Sequence, residues 1–543
     1  MNYMLNVPTT LCDGYKLDHR RQYVNTRGVY ANMTARGSRL EGVDKTVVFG
    51  IQMYLLGTLI ELWNKEFFTA DIEDITEDFA QEMREYTLSD DAAKAIGVQH
   101  WRDLHRLGYL PLEIKALPEG TLCPTRVPMY TIKETHPDFY WLVNMIETDM
   151  SSEIWGMVTD ATLANEYKNI FTKWAKKTGG DLDFVRFQGH NFSYRGCFGR
   201  IAAAMVSMAH CTSFAGDDTV HGRRYLKKFY GAKQTGFHDI ISCSVFATEH
   251  AVMCTATGFY IRKNDLTWER YGDAEFEVFK HLITELYPTG IISIVSDTWD
   301  LWKVLIDYMV RLKDVIMARD GKVVIRPDSG EPVDIICGYE IPSYLGEGAT
   351  SLDCYNHFAN GRDGKGQKDN LHEFKGVVEL LWDVFGGTIN EKGYKVLDPH
   401  IGCIYGDSIT LDRADKTCER LAAKKFCSTN WIAGIGSYTY QYVTRDTFKM
   451  AQKTTYAVID VDGEDIGIEV FKDPITDDGT KKSARGLLMV YRDENDGVIK
   501  LKDQCTEEEE KQGLLRTVFK DSVLYNTTTL EEIRSLLNQQ RNA

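Results

Sequence analysis

The chain has 543 residues, 43% of them hydrophobic and 11% aromatic, so it can bury one large or two ordinary cores and does not have the composition of a disordered protein. Its 63 Lys and Arg residues are outnumbered by 79 Asp and Glu residues, and the net charge of −16 repels phosphate backbones and anionic membranes. These values argue against nucleic acid and membrane as partners.

The N-terminal residues lack the basic region and apolar stretch of a secretory signal. The longest apolar segment, residues 49–63, is interrupted by Gln52, Thr58 and Glu61, so we expect no membrane span. The 12 cysteines include no CxxC pair, which argues against a zinc ribbon or a thioredoxin-type site. We therefore expect a reduced, cytoplasmic protein.

The middle of the chain, residues 155–445, repeats one pattern: a short apolar run, a few polar residues, and then a helical stretch. Such runs indicate a parallel sheet covered on both faces by helices, with the polar residues gathered at one end of the sheet. We predict an α/β fold in which this segment forms a β/α barrel-like catalytic domain, although an open doubly wound sheet fits the same pattern. The six runs are TSFAGDD (212–218), SVFATEH (244–250), ISIVSDT (292–298), VVIRPDS (323–329), CIYGDSI (403–409) and WIAGIGS (431–437).

The clearest repeat begins at residue 292. Asp297 or Thr298 can cap the helix that follows, and Leu301, Leu305, Met309 and Leu312 fall on one face of it. Further along, residues 346–372 are rich in glycine and polar side chains, which predicts a surface insertion.

The flanking segments, residues 1–154 and 446–543, do not follow the repeat. We predict that together they form a second, discontinuous α/β (α+β) domain. Near its end, Thr528 and Glu531 have the spacing of a capping box before a last amphipathic helix.

The residues at the predicted strand ends suit a phosphorylated sugar. Carboxylates can hold vicinal hydroxyls and a developing sugar cation, while arginines and glycine-rich turns hold phosphate. A single Asp after a strand is more often a helix cap or a turn former, so the inference depends on the whole set. That set comprises Asp218, Glu249, Asp297, Asp328, Asp407, His250, Arg195, Arg326 and the turn at 434–437.

Eight motifs, in order along nearly the whole chain, resemble the nicotinamide phosphoribosyltransferases, a group of type II phosphoribosyltransferases. The motifs are DGYKLDH (13–19), FSYRG (192–196), GDDTV (216–220), TEH (248–250), VSDTWD (295–300), IRPDSGEP (325–332), YGDSIT (405–410) and TRDTFKMAQK (444–453). The resemblance implies an enzyme of NAD biosynthesis that joins nicotinamide to phosphoribosyl pyrophosphate. It also implies a homodimer whose second domain contributes to the interface and whose active sites are shared between subunits.

The resemblance assigns a nicotinamide pocket. Phe192 stacks on one face of the pyridine ring, and Tyr15 of the second subunit covers the other. Asp218 accepts a hydrogen bond from the carboxamide, and a carboxylate there repels nicotinate, so nicotinamide is the expected substrate. Arg326 borders the amide, and Ser244 and Ser293 complete the pocket. The adjoining Asp217 could take the structural role of a cap instead.

The resemblance also assigns the phosphoribosyl and pyrophosphate site. Arg36, Arg445 and Lys453 reach across the dimer interface, and Asp328 lies near the ribose. The other members are Arg195, Asp297, Asp407, Gly406, Gly436, Ser437 and Asp13. Mg²⁺ is expected to arrive with the substrate, so no protein metal ligand is assigned. In place of the usual glycine run the sequence reads Gly434-Ile435-Gly436-Ser437-Tyr438, and Ala451 stands where a serine is expected.

The resemblance implies a separate role for His250: it is phosphorylated by ATP and so couples ATP hydrolysis to product formation. A carboxylate such as the adjacent Glu249 can fix the tautomer of this imidazole. Two alternatives stay open: nicotinate as the substrate, or a catalytically silent member of the fold that acts in binding or signalling.

Overall fold

The computed structural model describes residues 5–236, 239–346, 348–359, 370–406, 408–472, 475 and 484–542. Contacts divide the chain into two compact units. The sheet unit consists of Met1–Thr162, Gly222–Gln234 and Val443–Ala543, and the barrel unit of Leu163–His221 and Thr235–Tyr442. The predicted domain limits were residues 154/155 and 445/446.

Among the described residues, the barrel unit has a sheet of seven parallel strands, one more than the six apolar runs predict. Apart from Gly216–Asp217 and Phe246–Ala247, which stand at the two ends of the sheet, each strand pairs with the next one along the chain, and the last strand pairs with the first, as in a β/α barrel and unlike a doubly wound sheet, where the order reverses. The additional strand is Gly189–Asn191. In chain order the strands are Gly189–Asn191, Gly216–Asp217, Phe246–Ala247, Gly290–Val295, Gly321–Arg326, Ile401–Tyr405 and Trp431–Ile435.

A parallel bridge joins the two ends of this sheet. Gly216 pairs with Cys243, three residues before the strand Phe246–Ala247. The Asp217 amide donates to the Cys243 carbonyl at 3.0 Å, and the Cys243 amide to the Ala215 carbonyl at 2.7 Å. The strands thus complete a ring, which confirms the predicted barrel-like fold.

Helices follow the strands and cover the ring. Leu301, Leu305, Met309 and Leu312 are all buried, as predicted for one face of the helix after Gly290–Val295. The helices of this unit are Val185–Gln188, Arg200–His210, His250–Lys263, Tyr271–His281, Leu301–Lys303 continuing to Met309–Met317, Pro332–Cys337, Ser351–Ala359, Leu371–Phe385, Leu411–Ala423 and Ser437–Tyr440, with a small hairpin of Gly387–Ile389 and Lys395–Leu397.

The expected surface insertion at 346–372 is corrected in part. Residues Ser351–Ala359 form a helix in which Cys354 is fully buried, and the Tyr355 ring lies 5.6 Å from the Phe374 ring. The apolar residues of this helix are flanked by glycines and polar residues, which hid its period in the sequence. Residues 360–369 lie outside the described residues.

The sheet unit contains a seven-stranded antiparallel sheet, in the order Glu464–Glu469, Met450–Val461, Thr26–Ala35, Pro128–Glu134, Leu112–Ala116, Arg516–Lys520 and Val523–Leu524. Two smaller pairs are Lys45–Val47 with Leu122–Pro124, and Leu487–Arg492 with Ile499–Cys505. Three strands from the N-terminal part of the chain lie in the centre of this sheet and two strands from the C-terminal part lie on each side of them, so the unit is discontinuous in sequence.

Helices complete the sheet unit and enclose an aromatic core in which the Trp101 and Trp141 rings lie 5.0 Å apart. A 38-residue helix, Trp141–Thr178, begins in this unit and ends in the barrel unit. The other helices among the described residues are His19–Gln22, Ile51–Tyr54 continuing through Leu55–Leu62 and Asn64–Phe68, Ile72–Thr87, Asp90–Ile96, Gln99–Leu107, Val220–Phe229, Glu507–Lys511 and Leu530–Asn542. No helix within the described ranges is sufficiently long and apolar to span a membrane.

Residues Gly222–Gln234 belong to the sheet unit, whereas the sequence placed them in the barrel domain. The Tyr230 ring stacks on Phe49 at 5.0 Å, and its carbonyl accepts a hydrogen bond from the Leu530 amide at 3.2 Å. Both partners are far away in the sequence, which is why a reading of local pattern could not place this segment.

Candidate active site

A cavity of about 550 Å³ runs through the barrel unit. It extends from Arg326, at the carboxyl end of its strand, to Lys322 at the amino end, and most of its lining is apolar. Five of the six residues assigned to nicotinamide line this one cavity: Phe192, Asp218, Ser244, Ser293 and Arg326. The sixth, Tyr15, belongs to the sheet unit.

The structure separates the roles of Asp217 and Asp218. The Asp217 carboxylate is buried and accepts hydrogen bonds from Asn191 Nδ2 at 2.8 Å, Ser207 Oγ at 2.7 Å and the Thr219 amide at 3.2 Å. Asp218 lines the cavity instead, with 42% of its side chain exposed. Asp217 is therefore the structural member of the pair.

The Asp218 carboxylate is held in its ionised form. Burial acts to raise its pKa, but the hydrogen bonds from His190 and Ser244 and the positive charge of Arg326 together hold the pKa below its ordinary value. The His190 Nε2 lies 2.9 Å from Asp218 Oδ1. The cavity thus presents a negative charge beside the Phe192 ring.

His190 is a site residue that the sequence analysis missed. Its ring lies 4.6 Å from the Phe192 ring at an interplanar angle of 34°. The two residues are two positions apart on an extended segment, where alternate side chains share a face. That spacing was the available signal, but the short polar sequence Gly-His-Asn did not look like a strand.

The opening of the cavity carries a fixed arginine. Arg326 Nη2 donates a hydrogen bond to the Thr248 carbonyl, which anchors one side of the guanidinium. Burial lowers the pKa of Arg326, and the charges of Asp328, Asp218 and Asp297 oppose that effect. With five N–H donors in a planar fork, the group keeps donors for a ligand.

His250 is hydrogen-bonded to a different carboxylate from the one expected. His250 Nε2 lies 3.2 Å from Asp297 Oδ1, whereas Glu249 is exposed and its side chain makes no cap hydrogen bond. Asp297 Oδ2 also accepts from the Asp328 amide at 2.8 Å and from Ser329 Oγ at 2.6 Å. Asp297 therefore links His250 to the turn that carries Asp328.

Gly406 packs closely against this turn. Its amide donates to the Pro327 carbonyl at 3.1 Å, and a Cβ at position 406 would overlap Asp328 Oδ1. A glycine is therefore required if Asp328 is to keep its place. The assignment made for Asp407 lies outside the described residues.

The glycine turn precedes a short helix, Ser437–Tyr440. Gly196 lies against it, since a Cβ at that position would overlap Ser437 Oγ. Arg195 is exposed and lies in the chain between Phe192, which lines the cavity, and Gly196. Its positive charge lowers the pKa of Arg326. Gly436, Ser437 and Arg195 thus belong to one region of the barrel unit.

In the sheet unit, the predicted basic residues form a cluster around Glu147. Lys453 Nζ lies 3.8 Å from Glu147, whose other oxygen bonds Lys16 at 2.9 Å. Burial lowers the pKa of Lys453, Glu147 opposes this, and the charges of Arg36, Lys472 and Arg445 lower it further. Neither Glu147 nor Lys16 was identified from the sequence.

Asp13 and Tyr15 lie near this cluster. Asp13 Oδ2 accepts a hydrogen bond from Thr148 Oγ1 at 2.7 Å, next to Glu147. Tyr15 is 66% exposed, and burial, Asp13 and Glu147 raise the pKa of its hydroxyl while Arg445 lowers it. The residues predicted to serve a second subunit therefore form one group within the sheet unit.

Comparison with known proteins places the chain in a family. The model of the nicotinate phosphoribosyltransferase (NAPRTase) family matches residues 187–523. The chain belongs to this family. The nicotinamide phosphoribosyltransferase of Acinetobacter baylyi is 44% identical over 552 residues, which cover 99% of this chain and 98% of that protein. The protein of the same name from Mycoplasma pneumoniae is 30% identical over 510 residues, covering 88% of this chain and 96% of that protein.

The crystal structure of nicotinate-nucleotide pyrophosphorylase from Pyrococcus furiosus aligns with a TM-score of 0.48 at 13% identity, over 98% of this chain and 95% of that chain. The family match and the two relatives confirm the resemblance drawn from the sequence motifs. That match begins two residues before the strand Gly189–Asn191 and so covers all seven barrel strands.

The sequence motifs predicted a departure from the usual pattern at two positions, Ser437 and Ala451. Ser437 occupies part of the glycine run and begins the helix Ser437–Tyr440. Ala451, where a serine was expected, is buried in the strand Met450–Val461 opposite Thr34. The methyl group of Ala451 therefore packs in the sheet, and the hydroxyl donor that a serine would provide is missing.

Within the described ranges, no three His, Cys, Asp or Glu side chains are grouped to hold a metal ion. Both oxygens of Asp297 already accept hydrogen bonds. Asp328 is exposed at the same strand end, and its carboxylate is of the hard oxygen type that suits Mg²⁺.

Proposed function

We propose that this chain is a nicotinamide phosphoribosyltransferase, which makes nicotinamide mononucleotide and pyrophosphate from nicotinamide and phosphoribosyl pyrophosphate in NAD biosynthesis. The observation that carries the proposal is the ionised Asp218 carboxylate in the cavity beside Phe192. A carboxylate at this position accepts a hydrogen bond from a carboxamide N–H, but it repels the like charge of nicotinate. The names of the two relatives agree with nicotinamide.

The cavity supplies partners for each part of nicotinamide. The Phe192 ring offers a face for stacking on the pyridine, and Arg326 offers donors to the amide oxygen. The Ser293 hydroxyl is buried in the lining and has no hydrogen-bond partner among the described residues, so it is available to the carboxamide. These groups orient the pyridine nitrogen without needing to change its protonation.

The reaction requires no general base, because the neutral pyridine nitrogen already carries the attacking lone pair. A bond forms from this nitrogen to C1 of the ribose as the bond from C1 to the pyrophosphate oxygen breaks. Positive charge develops on the sugar, and the Asp328 carboxylate stabilises it electrostatically. Pyrophosphate is the leaving group; a Mg²⁺ ion bound with it would neutralise part of its charge, and Asp328 is the side chain that would hold such an ion.

We assign the phosphates to Arg195, Gly436 and Ser437 of one subunit and to Arg36, Arg445 and Lys453 of a second subunit in a homodimer. Tyr15 of that second subunit covers the nicotinamide, with Asp13 beside it. The support is that these sheet-unit residues form one basic group in an otherwise acidic protein. Guanidinium and ammonium groups bind phosphate strongly.

Mixed dimers test the shared site. In a dimer of a Phe192→Ala chain and a Tyr15→Ala chain, one site carries both lesions and the other carries neither. We expect the mixture to recover part of the activity that each parent lacks. Heterodimers verified by native mass spectrometry but no more active than the parents would contradict shared sites.

We propose that ATP is a second substrate: a bond forms from His250 to the γ-phosphorus as the bond from that phosphorus to the ADP oxygen breaks, ADP leaves, and water later hydrolyses the phosphohistidine. Nε2 is bonded to Asp297, an acceptor, so Nε2 carries the proton and Nδ1 carries the nucleophilic lone pair. His250→Ala should abolish the ATP stimulation and leave a slow, uncoupled transferase. Acid-labile label from γ-labelled ATP should appear on the wild type, and equal labelling of the variant would remove His250 from the reaction.

The decisive assay uses purified protein, Mg²⁺, phosphoribosyl pyrophosphate, and either nicotinamide or nicotinate, with products identified by mass spectrometry. We expect the nicotinamide product to dominate in the cytoplasmic pH range. Dominant nicotinate mononucleotide would establish the alternative substrate, and nicotinamide binding without any product would establish the silent member. Nucleic acid and membrane have no part in this proposal.

A further inference from the structure

His190 occupies a position between the two groups that define the nicotinamide pocket. Its side chain bonds Asp218 on one side and lies against the Phe192 ring on the other. The residue is buried on the strand Gly189–Asn191. Gly216 lies next to the imidazole ring of His190, and a Cβ at position 216 would lie 2.7 Å from His190 Nδ1. The absence of a side chain at Gly216 therefore leaves room for the imidazole.

The hydrogen bond fixes which nitrogen carries the proton. An ionised carboxylate can only accept, so Nε2 of His190 donates to Asp218 Oδ1. The Ser244 hydroxyl donates to the same oxygen. These are the two hydrogen bonds that described side chains give to the Asp218 carboxylate, and both reach Oδ1. Oδ2 is thus left to accept from a ligand.

We propose that His190 is a positioning residue for nicotinamide: its N–H sets the orientation of Asp218 so that Oδ2 faces the carboxamide, while its ring supports Phe192. The inference rests on the proposed function and adds a residue to that site. His190 does not touch the reacting atoms. Substitution of His190 should therefore change the KM for nicotinamide and the preference for nicotinamide over nicotinate more than it changes kcat.

Two substitutions separate the N–H from the ring. His190→Gln places an amide N–H near the position of Nε2 but removes the ring, whereas His190→Phe keeps a ring and removes the N–H. A hydrogen bond to a charged group is worth about tenfold or more in affinity. We expect His190→Phe to raise the nicotinamide KM about tenfold and to lower the preference for nicotinamide by a similar factor, with kcat changed less than threefold.

His190→Gln should keep the preference for nicotinamide within about threefold of the wild-type value, because the glutamine side chain still has an N–H group near the position of Nε2. The loss of about tenfold is expected only when that donor is removed. His281→Phe is the matched control, since it breaks the contact of His281 Nδ1 with Glu285 Oε2, 3.1 Å apart, between two partly exposed side chains. The control should leave both quantities unchanged. Thermal unfolding of every variant is measured alongside.

The readouts are KM, kcat, the ratio of kcat/KM values for the two substrates, and the Kd of nicotinamide by titration calorimetry. If His190→Phe and His190→Gln change the ratio equally, or neither changes it, the positioning role is overturned. Should the Phe variant fail to fold, the Gln variant decides: loss of the preference despite a retained N–H donor overturns the role. A wild type that forms no nicotinamide mononucleotide refutes the proposed function instead, and the calorimetric Kd values still test His190.

Discussion

Replacing Gly406 with Ala should displace Asp328 without unfolding the barrel. An added Cβ would overlap Asp328 Oδ1 and lie 3.2 Å from Asp328 Cγ and 3.7 Å from Arg326 Cδ. Gly406 does not have a positive φ, so alanine introduces no backbone strain there. The group that must give way is the carboxylate of an exposed side chain, which can rotate aside.

The expected effect on folding is small and the effect on catalysis is large. Accommodating the methyl group should cost about 1 kcal/mol, the low end for overpacking, because only a side-chain end has to move. Shifting a reacting group by about 1 Å costs roughly 100-fold in rate, or about 2.7 kcal/mol of transition-state stabilisation. We therefore expect kcat/KM to fall about 100-fold with a nearly unchanged Tm.

Initial rates of mononucleotide formation, measured across concentrations of both substrates, give kcat/KM. A double-mutant cycle with Asp328→Ala assigns the cause: if alanine at 406 acts through Asp328, the double variant should be no slower than Asp328→Ala alone. Wild-type kcat/KM in Gly406→Ala would refute the requirement for a placed Asp328. Additive losses in the cycle would show that the methyl group acts by another route.

Three further predictions test the site and the stability of the chain. Asp218→Asn removes the charge that repels nicotinate, so competition assays should show the relative use of nicotinate rising about tenfold, worth about 1.4 kcal/mol; an unchanged ratio would contradict the role given to Asp218. Gly156→Ala, in the helix Trp141–Thr178 with nothing within 4 Å of the added Cβ, should stabilise the protein by up to about 1 kcal/mol in thermal or denaturant unfolding, and destabilisation would reveal crowding. Burial raises the pKa of Glu119 from 4.5 to about 7, so in this pH range the folded state binds a proton that the unfolded state releases. The bound proton adds to the free energy of unfolding at low pH, and that addition is lost as pH rises from about 4.5 through 7. Glu119→Gln should remove that loss, gaining on the wild type by up to about 3 kcal/mol between pH 5 and 8; parallel stability curves would show that Glu119 does not titrate in this range.

Several local rules named the right kind of feature but could not choose the residue. Asp297 and Thr298 were both offered as helix caps, but Asp300 caps the helix Leu301–Lys303, with the Lys303 amide donating to Asp300 Oδ1 at 3.0 Å. Asp297 is thereby free to bond His250 and the 328–329 turn. A capping rule scores only the neighbouring residues, so it cannot detect that a carboxylate is already engaged across the barrel.

The last helix shows the same limit on a smaller scale. A capping box was predicted from Thr528 and Glu531, but the reciprocal bonds join Thr529 and Glu532, one residue later. The Thr528 amide donates instead to Gln52 Oε1 at 2.7 Å, a contact with a residue 476 positions away. A distant partner therefore selects between two sequence matches of nearly equal quality.

The β/α repeat, the apolar faces of its helices, and a set of carboxylates and arginines at strand ends could all be predicted from the amino-acid sequence. This was possible because strand and helix periodicity and the side-chain chemistry of motifs are local properties. Tertiary structure alone decided that Asp218 and not Asp217 faces the cavity, that His190 bonds Asp218, and that Asp297 and not Glu249 contacts His250. These choices depend on which side chains meet when parallel strands come together, and residues that meet across a barrel are separated by dozens of positions in the chain.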